Sequence, residues 1–312
     1  MSKPAYITDQ DILKKITPAD AIRITKQAFV DYEAKRNKMP EKIYLDLPEY
    51  NGDFRAMPAY VPRYNIAGIK WVNSHKENPA LGLPSVMATL LINNPKTGEL
   101  IAMMDATALT CLRTGAVGAI ATELLTKIEN PNIAFIGCGK QAEYQLKCIQ
   151  EVKKINHINV YDRSNNQSEI FAKNIKHNLG ELRIRESVKA ACQTANIIIT
   201  TTPGTKAIVM KDDIPERCLI IAIGADAEGK QELDHSIIMD ATLIVDDITQ
   251  ASHSGELNTA ITLKKIKRNN ISATLGDLLS GKKITDNNRI VVDSTGLAIQ
   301  DLALAGFYLS KV

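Results

Sequence analysis

The pattern of apolar and polar positions changes its period near residue 130. Thr17-Pro18-Ala19-Asp20 carries the marks of a helix start: a threonine cap, proline at the first helical position and an acid in the first turn. Ile22, Thr25, Phe29 and Tyr32 then recur along one face. Apolar, β-rich runs follow at Lys42 to Leu47, Phe54 to Val61, Ala67 to Asn73, Ser85 to Ile92 and Leu100 to Met104, separated by Pro, Gly and Asn. They predict a mostly antiparallel sheet with helices at its start and end. From Thr107 to Lys127, Leu109, Leu112, Val117, Ile120 and Leu124 keep helical spacing until Asn130-Pro131.

Beyond Pro131 the apolar runs are short and alternate with helical stretches. Strands are predicted at Asn132 to Ile136, Ile158 to Tyr161, Asn196 to Thr201, Leu219 to Ile223, Leu243 to Asp246 and Arg289 to Val292, with helices such as Gln141 to Lys153 and Gln167 to His177 between them. Such alternation implies a parallel sheet covered on both faces. A last apolar helix, from about Leu297 to Leu309, needs a partner and is expected to return to the first domain. The fold class is therefore α/β: a Rossmann-type doubly wound parallel sheet over 119–294, beside an α+β domain over 1–118 that 295–312 completes.

Composition narrows the function classes. The chain has 312 residues, enough for about two domains. With 38 Lys+Arg against 35 Asp+Glu, the net charge of +3 does not point to nucleic acid, and Lys264-Lys265-Ile266-Lys267-Arg268 is expected to be a solvated helix face. The apolar runs Val86 to Ile92 and Cys218 to Ile223 fall short of the ~18 residues a bilayer requires, so no membrane crossing is expected. MSKPAYITDQ lacks the apolar stretch of a signal peptide, and the scattered cysteines Cys111, Cys138, Cys148, Cys192 and Cys218 read as reduced core thiols. Together these predict a cytoplasmic protein, and no metal-ligand spacing is visible among Cys and His.

One motif points to a cofactor. After Asn132 to Ile136 stands Gly137-Cys138-Gly139-Lys140-Gln141-Ala142, a G-x-G-x-x-A sequence opening a helix. The first glycine permits a tight turn, the second lets backbone approach a pyrophosphate, and Ala142 lets helix and strand pack closely. Asp162 closes the next strand, where an acid can bind ribose hydroxyls and repel a 2′-phosphate. This favours NAD, although Arg163 beside it could hold a phosphate and leaves NADP open. By contrast Gly276 to Lys283 has P-loop glycine spacing, but Lys283 replaces the magnesium-binding Ser/Thr and no apolar strand is expected before it.

Ligands of such sheets bind beyond the carboxyl ends of the strands, which makes Thr201, Thr202 and Gly224 further candidates. Asp226 lies in the same kind of place, in Gly224-Ala225-Asp226-Ala227-Glu228-Gly229-Lys230, and is either an acid/base or a turn or cap acid. In the first domain Arg55 and Lys70 sit on apolar strands and Arg113 interrupts an apolar helix. Singly, each fits a paired or snorkelling charge; together they suit a small carboxylate substrate.

These stretches resemble the ornithine cyclodeaminase and mu-crystallin family, nearest its archaeal-type alanine dehydrogenase branch. The resemblance runs through Phe54 to Ala59, Gly68 to His75, Leu112-Arg113-Thr114-Gly115-Ala116, the glycine motif, Ile223 to Asp226, Gly229 to Asp234 and Asp293 to Asp301. It implies that Lys70 and Arg113 contact the substrate carboxylate or carbonyl, that Lys70 and Asp226 serve catalysis, and that Arg113 and Thr114 also border the cofactor. It further implies that the first domain binds substrate and forms a homodimer, and that a small L-amino acid reacts through an imine. Where the cyclodeaminases resemble Glu-x-Met-Pro, this chain has Arg55-Ala56-Met57-Pro58. A guanidinium there favours a carboxylate over a second ammonium. Alanine dehydrogenase or a related ketimine reductase is thus the leading expectation, ahead of ornithine cyclodeaminase and of a cofactor-dependent binding protein like mu-crystallin.

Overall fold

The computed structural model describes residues 3–175, 180–285 and 288–312, which divide into two compact units. The first extends to Arg113 and resumes at Leu297; the second runs from Thr114 to Gly296.

The first unit begins with β1 (Ala5–Ile7), α1 (Asp9–Lys15) and α2 (Pro18–Glu33). Both helices start with a capping box, Thr8 with Asp11 and Thr17 with Asp20. There follow β2 (Ile43–Leu47), β3 (Gly52–Val61), β4 (Ile66–His75), β5 (Val86–Asn93) and β6 (Leu100–Asp105), then α3 (Thr107–Leu125), in which the division between units falls. The strands lie in the order β1-β6-β5-β4-β3-β2, antiparallel except for β1 against β6. Period-two alternation turns Arg55, Met57, Lys70, Leu90 and Met104 to the buried face. Register puts Tyr6, Met103, Leu91 and Ile69 in one row on the other face, where Ile43, Leu45, Trp71 and Ile101 are also exposed.

The second unit is built on one parallel sheet: β7 (Ile133–Ile136), β8 (His157–Tyr161), β9 (Glu181–Ile184), β10 (Ile197–Thr200), β12 (Cys218–Ala222), β14 (Thr242–Val245), β15 (Ile271–Thr274) and β16 (Arg289–Asp293). Beside it, β11 (Thr205–Val209) pairs in parallel with β13 (Gln231–Leu233). The connections carry α4 (Lys140–Ile149), α5 (Asn165–Asn174), α6 (Val188–Cys192), α7 (His235–Asp240), α8 (Ile248–Ser254), α9 (Asn258–Thr262) and α10 (Leu275–Leu279). In the order β15-β14-β16-β12-β10-β7-β8-β9 the chain leaves β7 in one direction and returns to β10 on the other side. The loops after β7 and β10 therefore diverge and open a crevice at this switch point.

The chain then ends in α11 (Ala298–Leu309), which belongs to the first unit and packs on α2, β3 and β4. α3 has the length and apolar composition of a membrane span, but 78% of that stretch is buried inside the protein, as in the core helix of a folded domain. All five cysteines are buried thiols, and burial pushes Cys148 and Cys192 up to about 12.

Several expectations need correction. The run Lys264 to Arg268 is exposed apart from Ile266 but is no helix face: α9 stops at Thr262, and Lys264 takes a left-handed φ of 57°. A strand, β15, does lead into Gly276 to Lys283; its half-polar Ile-Ser-Ala-Thr sequence suits the edge it occupies. Gly276 is inside α10 and Lys282 pairs with Asp277 at 3.1 Å, so the segment is a capped helix and turn. The helix predicted to end at Lys153 stops at Ile149, and α5 stops at Asn174; the predicted end at His177 lies outside the described residues.

Candidate active site

In the second unit the crevice is formed by the loop after β7. Gly137 has φ +95°, and a Cβ there would fall 2.9 Å from the Thr201 hydroxyl and 3.1 Å from its carbonyl, so only glycine fits. The Thr201 hydroxyl donates to the Gly137 carbonyl at 3.1 Å, fastening this loop to the one after β10. Gly139 caps α4 without a side-chain acceptor, and a Cβ on it would meet nothing within 4 Å. The first N–H groups of α4 thus face open space at the positive end of the helix, a fitting seat for a pyrophosphate. Ala142 is fully buried beneath them, and the Thr114 hydroxyl is buried with no hydrogen-bond partner among the described residues while its carbonyl accepts from Gln145 of α4 at 2.8 Å.

Asp162 shapes this cradle. Its Oδ2 accepts from the Cys138 N–H and its Oδ1 from the Ser164 N–H, both at 2.9 Å, so it orders the glycine loop and still presents a carboxylate after β8. Arg163 is exposed, half-buried Gln141 lies in the first turn of α4, and Lys140 is a surface residue paired with Glu143 at 3.5 Å.

At the end of β12, Asp226 caps no helix. Its Oδ1 lies 2.5 Å from the Lys230 ammonium, an i,i+4 ion pair whose lysine is buried while the aspartate keeps 34% of its side chain exposed. Asn258 clamps this loop, accepting from the Gly229 N–H at 3.0 Å and donating to the Lys230 carbonyl at 3.1 Å. A partly exposed carboxylate beside an ammonium, in a loop clamped by Asn258, is suited to move a proton.

In the first unit the three cations meet on one surface. Lys70 and Arg55 are diagonal neighbours on β4 and β3, on the buried face of the sheet. Arg55 forks onto Asp53 (Nε–Oδ1 2.7 Å, Nη2–Oδ2 3.1 Å) and lies over the Tyr44 ring. Lys70 donates to Asp301 Oδ2 at 2.6 Å, and Arg113 Nε donates to Asp301 Oδ1 at 3.3 Å. Burial pulls Lys70 down from 10.5 to about 8, with Arg113 and Arg55 pushing the same way and Asp301 opposing. Against the upward push of its own burial, Lys70 and Arg113 hold Asp301 below the usual carboxylate range.

Sequence reasoning passed over Asp301, Asp53, Lys230 and Glu232, which binds the Thr202 and Gly224 N–H groups at 2.6 and 2.7 Å. Lys230 could have been found from its spacing to Asp226, and Asp301 from its position as an acid within the apolar run Leu297 to Leu304.

The model of the ornithine cyclodeaminase/mu-crystallin family matches residues 3–311. The chain belongs to this family. Alanine dehydrogenase of Archaeoglobus fulgidus is 40% identical over 304 residues, spanning 96% of this chain and 92% of that one. Among solved structures, an archaeal alanine dehydrogenase dimer with bound NAD superposes with a TM-score of 0.92 at 38% identity, covering 99% of this chain and 97% of that one. Thermococcus litoralis Delta(1)-pyrroline-2-carboxylate reductase, in complex with NADH and L-proline, gives 0.94 at 29% identity, over 98% and 97% of the two chains.

Proposed function

We propose that the chain is an NAD-dependent oxidoreductase of a small L-amino acid and its 2-imino acid, an alanine dehydrogenase or a ketimine reductase of similar substrate size. The observation that carries this reading is the buried set of Arg55, Lys70 and Arg113 with Asp53 and Asp301. Three cations and the two carboxylates they bind leave one positive charge, which one substrate carboxylate neutralises; a second carboxylate or a second ammonium would go uncompensated. NAD supplies or accepts the hydride. Gly137, Gly139, Thr114, Asp162 and the first turn of α4 hold it, Lys70, Arg113 and Arg55 hold the carboxylate, and Asp226 takes or gives the proton at the reacting nitrogen.

A spectrophotometric screen of NADH oxidation tests the reading with pyruvate plus ammonia, pyruvate plus methylamine, and cyclic imino acids. Turnover with at least one is expected, and oxaloacetate should be a poor substrate. No NADH consumption with any of them, or conversion of L-ornithine to proline without net cofactor use, rejects it.

Asp162 should make NADH bind more tightly than NADPH in fluorescence titrations, and Asp162→Ser should narrow that preference by roughly tenfold, chiefly by weakening NADH. Equal affinities in the unmodified protein would remove Asp162 from this role. We also propose that the exposed apolar face carrying Tyr6, Ile43, Trp71 and Met103 seats a second copy, as fits the dimeric archaeal relative. Trp71→Glu with Met103→Glu should turn a dimer into a monomer in sedimentation; an unchanged mass places the interface elsewhere.

A further inference from the structure

We propose that Glu232 is a positioning residue for the cofactor edge of the second unit, resting on the NAD-dependent reading above: its single carboxylate ties the loop after β10 to the loop after β12. Oε1 accepts from the Thr202 N–H at 2.6 Å and the Thr202 hydroxyl at 2.8 Å. Oε2 accepts from the Thr200 hydroxyl at 2.6 Å and the Gly224 N–H at 2.7 Å. These donors stand at the carboxyl ends of β10 and β12, which are adjacent in the sheet, and Gly224 opens the segment that carries Asp226. The two loops approach so closely that a Cβ on Gly224 would fall 2.0 Å from the Thr202 carbonyl oxygen and 2.6 Å from Glu232 Oε1.

The carboxylate is fully buried, and these four contacts are all donors pointing at it. A buried anion persists only where donors satisfy it in this way. Glutamine would fit the space, but its NH2 would face two donors and accept from neither.

A second buried acid holds Glu232 from behind. Glu256 accepts from the Glu232 N–H at 2.9 Å and the Leu233 N–H at 2.7 Å. Burial raises both acids, and Glu256, which also faces the charges of Glu232 and Asp293, is raised well above the usual range. Glu256 Oε1 by itself accepts from both of those N–H groups, whereas each Glu232 oxygen accepts from two donors of its own. A glutamine at 256 can keep both main-chain bonds through one amide oxygen, which a glutamine at 232 cannot do for its four donors, so the two positions differ in what they tolerate.

The test is NADH fluorescence titration, with steady-state kinetics and thermal melting, on the unmodified protein, Glu232→Gln and Glu256→Gln. Glu232→Gln should bind NADH about tenfold or more weakly, with a raised KM for NADH and an unchanged KM for the imino acid at saturating NADH. Glu256→Gln should stay within about twofold of the unmodified protein, because its amide oxygen can keep both main-chain bonds. A lower melting temperature with unchanged NADH affinity, or equal damage from both variants, overturns the proposal. If Glu232→Gln does not fold, Thr200→Val, which removes one fully buried donor, should weaken NADH several-fold, and unchanged affinity overturns the proposal as well. An unmodified protein that binds no NADH rejects the underlying reading, and the proposal with it.

Discussion

Asp226→Asn should lower turnover by about 10²- to 10⁴-fold, the loss typical of removing a positioned acid/base, while leaving NADH affinity unchanged. Asparagine keeps the shape of the side chain and can still accept from Lys230, which lies 2.5 Å from Asp226 Oδ1. What disappears is the titrating group. The loop itself should persist, because Asn258 holds Gly229 and Lys230 through main-chain contacts that do not involve Asp226. Single-turnover mixing of enzyme and NADH with the imino acid separates binding from chemistry. A variant that turns over normally reduces Asp226 to the counter-charge of Lys230.

The second large effect concerns Asp301. In a buried pair, removing one partner typically costs about 3–5 kcal/mol because the other charge is left uncompensated. Asp301→Asn leaves two such charges, Lys70 and Arg113, and Lys70 is the one that can relieve the strain by losing its proton. Lys70 in the unmodified protein titrates at about 8, below its ordinary 10.5. The KM for the oxo or imino acid should accordingly rise as pH increases through about 8, with NADH affinity unaffected. Without Asp301 the upward push on Lys70 is gone, so this rise should begin at lower pH and the KM at pH 7 should already be high. For stability the sign is opposite: between about 8 and 10.5 the unfolded chain binds the proton that folded Lys70 has released, so this group makes folding more favourable as pH rises. A KM that is flat from pH 6 to 9, or one whose profile Asp301→Asn leaves in place, would show that Lys70 does not hold the substrate as a cation.

How far the sequence could be read depended on the range of the interactions. The glycine loop was legible because turn, strand and helix lie within a few residues of one another, and Asp162 closes the following strand. The central parallel strands were legible as short apolar runs. The edge strands of that parallel sheet were not: Glu181-Leu182-Arg183-Ile184 is largely exposed, and its alternation of charge and apolar residues has no core to report. The cation site was read only in half, since Arg55, Lys70 and Arg113 stand out as charges in apolar surroundings. Their counter-ions escaped because Asp301 lies 231 positions from Lys70, and no local periodicity links the two. Asp53 is two residues from Arg55, yet β-strand alternation does not by itself show that their side chains fork together.

That separation along the chain also sets an order of events during synthesis. Lys70 and Arg113 are made early, and Asp301 follows Arg113 by 188 residues. At about 5–20 residues per second, the first unit waits many seconds for the helix that covers β3 and β4 and neutralises its buried cations. The second unit is continuous from Thr114 to Gly296 and has all its strands before α11 exists. A ribosome-bound chain can thus form its dinucleotide fold while the buried cations of its first unit still lack Asp301. A chain that stops short of Asp301 should retain cofactor affinity and lack the carboxylate site.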